Sequence, residues 1–307
     1  MKVAAVIGVG NVGRSWAVVF ARAGLRVQLW DHQAGAIDRA LPAIRAALAE
    51  MQAAGLVDDA EAAMARIGRH ETLAGALAGA DWVQESVAEQ LAVKIALFAR
   101  LDALAPPQAI LASSTSAIPG SQFMAGLPGS ARCLVAHPVN PPHLIPLVEL
   151  CGTPDTAPES IAAADRFMVH VGQSPVRLAR EVEGFLLNRL QWALMGEALH
   201  LVGEGLCTPE DIDRVMTDGL ARRWAFMGPF MTAHLNASAG VRGYYAGLAE
   251  GIGRVQASLR TDYPPAPAVV DRLATAMEAQ VPVERIADRQ ARRDARLLEI
   301  SASLKEE

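Results

Sequence analysis

Val3-Ala4-Ala5-Val6-Ile7-Gly8-Val9-Gly10-Asn11-Val12-Gly13 decides the fold. The β-branched, apolar run from Val3 to Ile7 has the composition of a buried strand, and it passes directly into G-x-G-x-x-G. Trp16, Val19 and Phe20 then recur at helical spacing through Arg14 to Arg22, and Gly24 closes the helix. Strand, glycine turn and helix in this order suit a dinucleotide. The glycines allow a tight turn and bring a pyrophosphate close to the amides at the helix N-terminus. Gly8, Gly10, Asn11, Val12 and Gly13 are therefore candidate cofactor-binding residues. A glycine-rich turn that binds nothing is the competing reading, and this context disfavours it.

Working outward, Arg26-Val27-Gln28-Leu29-Trp30-Asp31 reads as a second strand. Asp31 follows Gly13 by 31 − 13 = 18 residues, near the ~20 at which a carboxylate meets an adenosine ribose. Its alternative is a helix cap or turn residue. A carboxylate repels a 2′-phosphate, and His32 and Gln33 follow rather than arginine, so the expected cofactor is NAD and not NADP.

Alternation continues through the first half. A long helix is expected from Ala34 to Ala54, with Pro42 inside it and Gly55 ending it. Further strands are expected at Asp81 to Gln84, Ala109 to Ala112 and Arg132 to Ala136, with a helix from Gln90 to Leu104. Ile145 to Leu150 returns from a proline-rich loop, and a helix opens near Pro158. Such alternation predicts parallel strands with helical crossovers. From Glu183 onward helical patterns dominate, at Phe185 to Val202, Pro209 to Leu220, Ala246 to Leu259, Ala268 to Gln280 and Val283 to Leu304. The expected fold is α/β: a Rossmann-type doubly wound sheet over residues 1–183 and an all-helical domain over 184–307. The charges of both signs from Arg285 to Glu307 read as a solvated or dimer-flanking surface.

A chain of 307 residues accommodates about two domains. With 51% apolar and 20% charged residues and a mean hydropathy of +0.20, it has a globular composition. Its net charge of −5 and pI near 5.8 leave no basic surplus for nucleic acid or an anionic membrane. No apolar run approaches the ~18 residues of a membrane span, and Met1 to Gly8 has no leader pattern, so a cytoplasmic location is expected. Cys133, Cys151 and Cys207 show neither C-x-x-C nor metal spacing. They read as small apolar residues in a reducing compartment, with no metal site.

His137 ends the Arg132 to Ala136 strand, where α/β sheets bind ligands, and Glu149 follows 149 − 137 = 12 residues later on the returning strand. A carboxylate on one imidazole nitrogen leaves the other to take a proton from a substrate hydroxyl, as hydride transfer from an alcohol requires. Ser113-Ser114-Thr115-Ser116 ends another strand. It reads either as a helix cap or as hydrogen bonding to the reacting oxygen.

These residues, and several longer blocks, resemble the 3-hydroxyacyl-CoA dehydrogenase superfamily, in its lambda-crystallin and L-gulonate 3-dehydrogenase branch. The blocks are Gly8 to Ala17, Ser113 to Ser116, His137 to Pro142 running on to Leu150, Gly184 to Gln191, and Arg223 to Pro229, in the right order across both halves. The resemblance implies an NAD-dependent dehydrogenase in which His137 is the catalytic base and Glu149 its partner. It implies that Ser116 and Asn188 hold the substrate oxygen, that Asn140 orders the loop at the nicotinamide, and that Glu89 and Lys94 meet the cofactor's ribose and nicotinamide side. It also implies a homodimer built through the helical domain.

Members acting on CoA thioesters carry a Gly-Tyr-Pro-Met-Gly-Pro-type block where this chain has Arg222-Arg223-Trp224-Ala225-Phe226-Met227-Gly228-Pro229. A guanidinium there suits a free carboxylate, so a free 3-hydroxy acid is expected, L-gulonate first, with Arg223 as the clamp. A structural ion pair or a dimer contact is the alternative role of Arg223. His234 to Ala237 resemble the gulonate branch and suit sugar hydroxyls, or else ordinary helix-end hydrogen bonds. The rival functions are a 3-hydroxyacyl-CoA dehydrogenase, an L-carnitine dehydrogenase, and a crystallin-like structural or NAD-sensing protein without turnover.

Overall fold

The computed structural model describes residues 1–264 and 266–304. Eight strands make one sheet: β1 (Val3–Ile7), β2 (Arg26–Trp30), β3 (Ile67–Arg69), β4 (Trp82–Glu85), β5 (Ile110–Ser113), β6 (Cys133–Pro138), β7 (Leu147–Gly152) and β8 (Ser174–Leu178). Their order is β3-β2-β1-β4-β5-β6-β7-β8. The first six run parallel, β7 returns antiparallel to β6, and β8 runs parallel to β7. The strand order reverses between β1 and β4, and a doubly wound sheet binds its ligand beyond the carboxyl ends at that point.

Helices cover both faces, which is why β1 reads as a continuous apolar run with Ala4 to Ile7 buried. On one face lie α1 (Asn11–Arg22), α2 (Ala36–Ala53) and α3 (Ala60–Met64); α4 (Leu73–Leu77), α5 (Leu91–Leu104) and α6 (Ser121–Met124) cover the other, and α7 (Pro158–His170) joins the first. Phe20 of α1 meets Phe167 of α7 at 5.7 Å between ring centroids, and Phe167 stacks on Trp82 of β4 at 4.6 Å, tying both helices to the sheet. Each such aromatic contributes about 1.5–3 kcal/mol through burial. Helix α2 runs unbroken through Pro42. The edge strands β3 and β8 carry no sequence pattern: Gly68 interrupts one, and Pro175 sits in the other, where an edge strand tolerates it.

The chain divides into two compact units, Met1–Asn188 with the segment from Arg293 onward, and Arg189–Arg292. The division falls five residues later than 183/184. The end of the last helix also differs from the expected solvated surface: Leu298 joins the core of the first unit, Leu297 packs against it, and Ser301 Oγ donates to the Leu144 carbonyl at 3.2 Å. The apolar residues of that helix, hidden among its charges, explain the difference. Lys305 to Glu307 lie outside the described residues.

The second unit is helical: most of α8 (Leu187–Gly203), then α9 (Pro209–Arg214), a π-helical turn at Val215–Leu220, α10 (Ala221–Trp224), α11 (Pro229–Leu235), α12 (Gly240–Ser258), α13 (Pro267–Gln280) and the start of α14 (Ile286–Ser303). Helix α9 opens on a capping box between Thr208 and Asp211. No described helix is long and apolar enough to cross a membrane. Cys133 and Cys151 are buried, Cys207 is half-buried, and none is in a disulfide.

Candidate active site

The glycine turn at the end of β1 is shaped by contact. A Cβ on Gly13 would collide with the Gly8 carbonyl, and one on Gly8, at φ +92°, would meet the Ser86 carbonyl oxygen at 2.8 Å. Around Gly10 there is open space. Gly10 caps α1 without a side chain and no acidic residue occupies the first turn, so the helix amides are free for an anion. Asp31 accepts from the Val9 N–H at 2.9 Å through Oδ2 and from the Gln33 N–H at 2.9 Å through Oδ1. Each carboxylate oxygen keeps a lone pair for a ribose hydroxyl. Turn, helix end and carboxylate together fit NAD.

At the far side of the sheet, β6 and β7 pair His137 directly opposite Glu149. Antiparallel partners in register place their side chains on one face, and His137 Nδ1 lies 2.8 Å from Glu149 Oε2. Both are buried, at 5% and 2% exposure. Burial pushes the Glu149 carboxyl up, but the bonds from His137 and from the Leu187 and Leu186 N–H groups outweigh it and hold the group below its ordinary value. An ionised carboxylate only accepts, so Nδ1 carries the proton and Nε2 keeps its lone pair.

The dyad's support comes from a segment that sequence reasoning quoted without assigning a role. Gly184 and Phe185 both adopt positive φ, at 75° and 50°, an outlier for phenylalanine. This turn aims the Leu186 and Leu187 N–H groups at Glu149 Oε1, at 2.8 and 3.0 Å. It also packs the buried Phe185 ring 5.3 Å from the imidazole. Glycine followed by an apolar residue just before a helix was the only available signal.

The serine and threonine cluster divides by depth. Ser113 is buried and donates to Glu85; Ser114 accepts from the Trp16 indole at 3.1 Å and Gln84 at 2.8 Å. Thr115 donates to Glu89 at 2.6 Å, which leaves Ser116 exposed. Asn188 Nδ2 donates to the Ser116 carbonyl at 2.8 Å, so these two candidates meet. Asn140 is exposed beside a cis bond to Pro141.

Glu89 and Lys94 stand differently from expectation. Lys94 is 1% exposed, and its ammonium meets Glu85 Oε1 at 2.9 Å, Glu85 Oε2 at 3.0 Å and Glu89 Oε2 at 3.3 Å. Its ammonium is thus held between two carboxylates. Glu89 Oε1 gathers Thr115 and the N–H groups of Ser116 and Ala117. Burial pushes the Glu89 carboxyl up, but Thr115, Lys94 and those amides bring it below its ordinary value.

In the second unit, Arg223 is exposed on α10 and makes no ion pair among the described residues. His234 Nδ1 accepts from the Val241 N–H at 3.2 Å, the helix-end alternative.

A nucleotide-binding turn and a buried histidine–carboxylate pair on one doubly wound sheet describe an NAD-dependent oxidoreductase acting on a CH–OH group. Residues 3–182 match the 3-hydroxyacyl-CoA dehydrogenase NAD-binding domain, and residues 184–280 its C-terminal domain. A lambda-crystallin homolog of Bos taurus is 44% identical over 97% of this chain and 94% of its own length. An L-carnitine dehydrogenase of Nocardiopsis dassonvillei is 37% identical over 100% of this chain and 92% of its own. Among solved structures, a 5-formyl-3-hydroxy-2-methylpyridine 4-carboxylic acid 5-dehydrogenase, described as an NAD+-dependent dismutase, superposes with a TM-score of 0.86 at 29% identity over 99% of both chains. The chain belongs to the 3-hydroxyacyl-CoA dehydrogenase family.

Proposed function

We propose that this enzyme oxidises the 3-hydroxyl of a free short-chain 3-hydroxy acid, L-gulonate to 3-dehydro-L-gulonate first among candidates. The carrying observation is the His137–Glu149 pair, with Nδ1 held by a carboxylate and Nε2 left as the base. Nε2 takes the hydroxyl proton, and Glu149 stabilises the imidazolium that results. Ser116 and Asn188 position the reacting oxygen. The nicotinamide of bound NAD supplies the hydride acceptor.

The free-acid reading rests on Arg223. An exposed guanidinium without an ion-pair partner among the described residues suits a bidentate carboxylate, which a thioester lacks. The similarity to L-carnitine dehydrogenase favours a second substrate of the same class, since carnitine is also a free 3-hydroxy acid.

The test is NADH formation from NAD with L-gulonate, 3-hydroxybutyrate, L-carnitine and 3-hydroxybutyryl-CoA, for the wild type and Arg223→Ala. Turnover of one free acid is expected, with its KM raised on the order of tenfold or more in Arg223→Ala and kcat little changed. Preference for the CoA ester overturns the free-acid reading, and an unchanged KM in Arg223→Ala overturns the clamp role of Arg223. NADH binding without turnover of any of the four points to the non-enzymatic rival.

A further inference from the structure

Gln84 lies within β4 with no exposed surface. A buried amide is costly unless its groups are bonded, and here each of them is. Its Oε1 accepts from the Trp82 indole N–H at 3.0 Å, and its Nε2 donates to Ser114 Oγ at 2.8 Å and reaches the Ala136 carbonyl at 3.5 Å. An indole can only donate and a carbonyl can only accept, so the amide has one possible orientation. Ser114 Oγ also accepts from the Trp16 indole at 3.1 Å. Both lone pairs of Ser114 are thereby taken, and its own proton goes to Ser86 Oγ at 2.9 Å. Ser86 accepts that proton and keeps its own, for which no acceptor stands among the described residues. The free donor has a telling position. Glu85 and Ser113 pair at the ends of β4 and β5, so Ser86 and Ser114 are the next residues beyond the carboxyl ends, where the strand order reverses. Ser86 also packs on the glycine turn: a Cβ on Gly8 would meet its carbonyl oxygen at 2.8 Å, and one on Gly13 would meet its Cβ at 3.4 Å.

A serine by itself turns its hydroxyl to suit any neighbour. This one is half-buried and polarised by the bond it accepts, with its donor uncommitted. We infer that Ser86 is a further cofactor-binding residue, its hydroxyl donating to a pyrophosphate or ribose oxygen of the dinucleotide at the glycine turn, and that Ser114 is a positioning residue that sets the direction of that donor. The oxygens a dinucleotide brings to such a turn are acceptors, which is the partner this hydroxyl lacks. The two indoles and the amide fix the proton before the ligand arrives, so less ordering remains to be done on binding. The inference adds to the cofactor site already described and does not depend on the identity of the hydroxy acid.

The experiment titrates NADH, ADP-ribose and AMP into the wild type, Ser86→Ala, Ser86→Cys and Ser114→Ala by calorimetry, with the thermal midpoint of each. ADP-ribose keeps the pyrophosphate and both riboses but lacks the nicotinamide, and AMP has neither the pyrophosphate nor the second ribose. Ser86→Ala is expected to bind NADH and ADP-ribose about three- to tenfold more weakly than the wild type, and AMP within about twofold. Ser114→Ala leaves the Ser86 hydroxyl in place but unguided, so its loss for NADH should be real and smaller than that of Ser86→Ala. An NADH affinity of Ser86→Ala within about twofold of the wild type overturns the inference. A loss shared equally by AMP also overturns it, because the turn would then be distorted rather than one bond removed. A loss for NADH that ADP-ribose does not show overturns it as well, since the acceptor would belong to the nicotinamide. Should Ser86→Ala fold poorly, Ser86→Cys decides: it keeps the packing with a weak donor, and wild-type affinity is the overturning result. Wild-type affinity in Ser114→Ala overturns the positioning role, whereas a wild type that binds neither NADH nor ADP-ribose overturns the cofactor site itself.

Discussion

At the scale of single residues, direction of hydrogen bonding does most to define the chemistry. Glu149 is held below its ordinary value because three groups favour its charge: the His137 ring, in hydrogen bond and in charge, and the Leu187 and Leu186 amides. Its stabilising contribution is therefore present above the ordinary carboxylate range and is lost as pH falls through its lowered folded value. His143 works the other way from an ordinary surface histidine. Burial pushes it down, Arg22 and Arg14 add to the shift, Asp294 opposes it, and it reaches about 4 against an ordinary 6.5. Its Nδ1 is buried without a hydrogen-bond partner among the described residues. The unfolded chain binds this proton between pH 6.5 and 4 and the folded chain does not, so stability drops across that window as pH falls, by up to about 3 kcal/mol. His143→Phe is expected to flatten the decline of the thermal midpoint between those pH values. Parallel declines in wild type and variant would contradict this account of His143.

At the scale of elements, the parts with a strong local signature were readable in advance. β1 with its glycine turn was legible because buried parallel strands, tight turns and helix starts each impose a residue type. The pairing of β6 with β7 was legible as a return from a proline-rich loop, and its register places His137 against Glu149. β3 and β8 were not, since three residues with a central glycine, or a strand containing Pro175, carry no alternation. The Gly184–Phe185 turn and the Glu85–Lys94 pair were also hidden. A left-handed phenylalanine has no sequence signature, and nothing in the sequence pairs Glu85 with Lys94 before β4 and α5 bring them together. The glycine turn supports a firm expectation. Gly13→Ala places a methyl group on the Gly8 carbonyl, a backbone atom that cannot swing aside. NADH affinity should fall more than about tenfold, with a lowered thermal midpoint. An alanine variant that binds NADH as the wild type does would show that the turn is not the cofactor's cradle.

At the scale of the whole molecule, the α/β class and the helical second half followed from alternation giving way to helical periodicity, but the return of the chain's last segment to the first unit did not. Two leucines among many charges are too weak a signal to assign a helix end to a distant core, where Ser301 reaches Leu144 across 157 positions of the chain. The second unit exposes Leu190, Trp192, Phe226 and Phe230, each more than half accessible. Apolar side chains in that number mark a surface that associates, and we propose a homodimer formed through it. Light scattering should give twice the 32.5 kDa chain mass; a monomer at micromolar concentration would contradict the proposal.

The central claim is that His137, oriented by Glu149, is the base that takes the hydroxyl proton. The most direct measurement is kcat of His137→Gln beside the wild type on the best hydroxy acid, with NADH affinity determined on the same samples. The account predicts a fall of about 10²–10⁴-fold in kcat with NADH affinity within about twofold. A variant that binds NADH normally and retains kcat within about threefold of the wild type would contradict it, because loss of a general base costs far more.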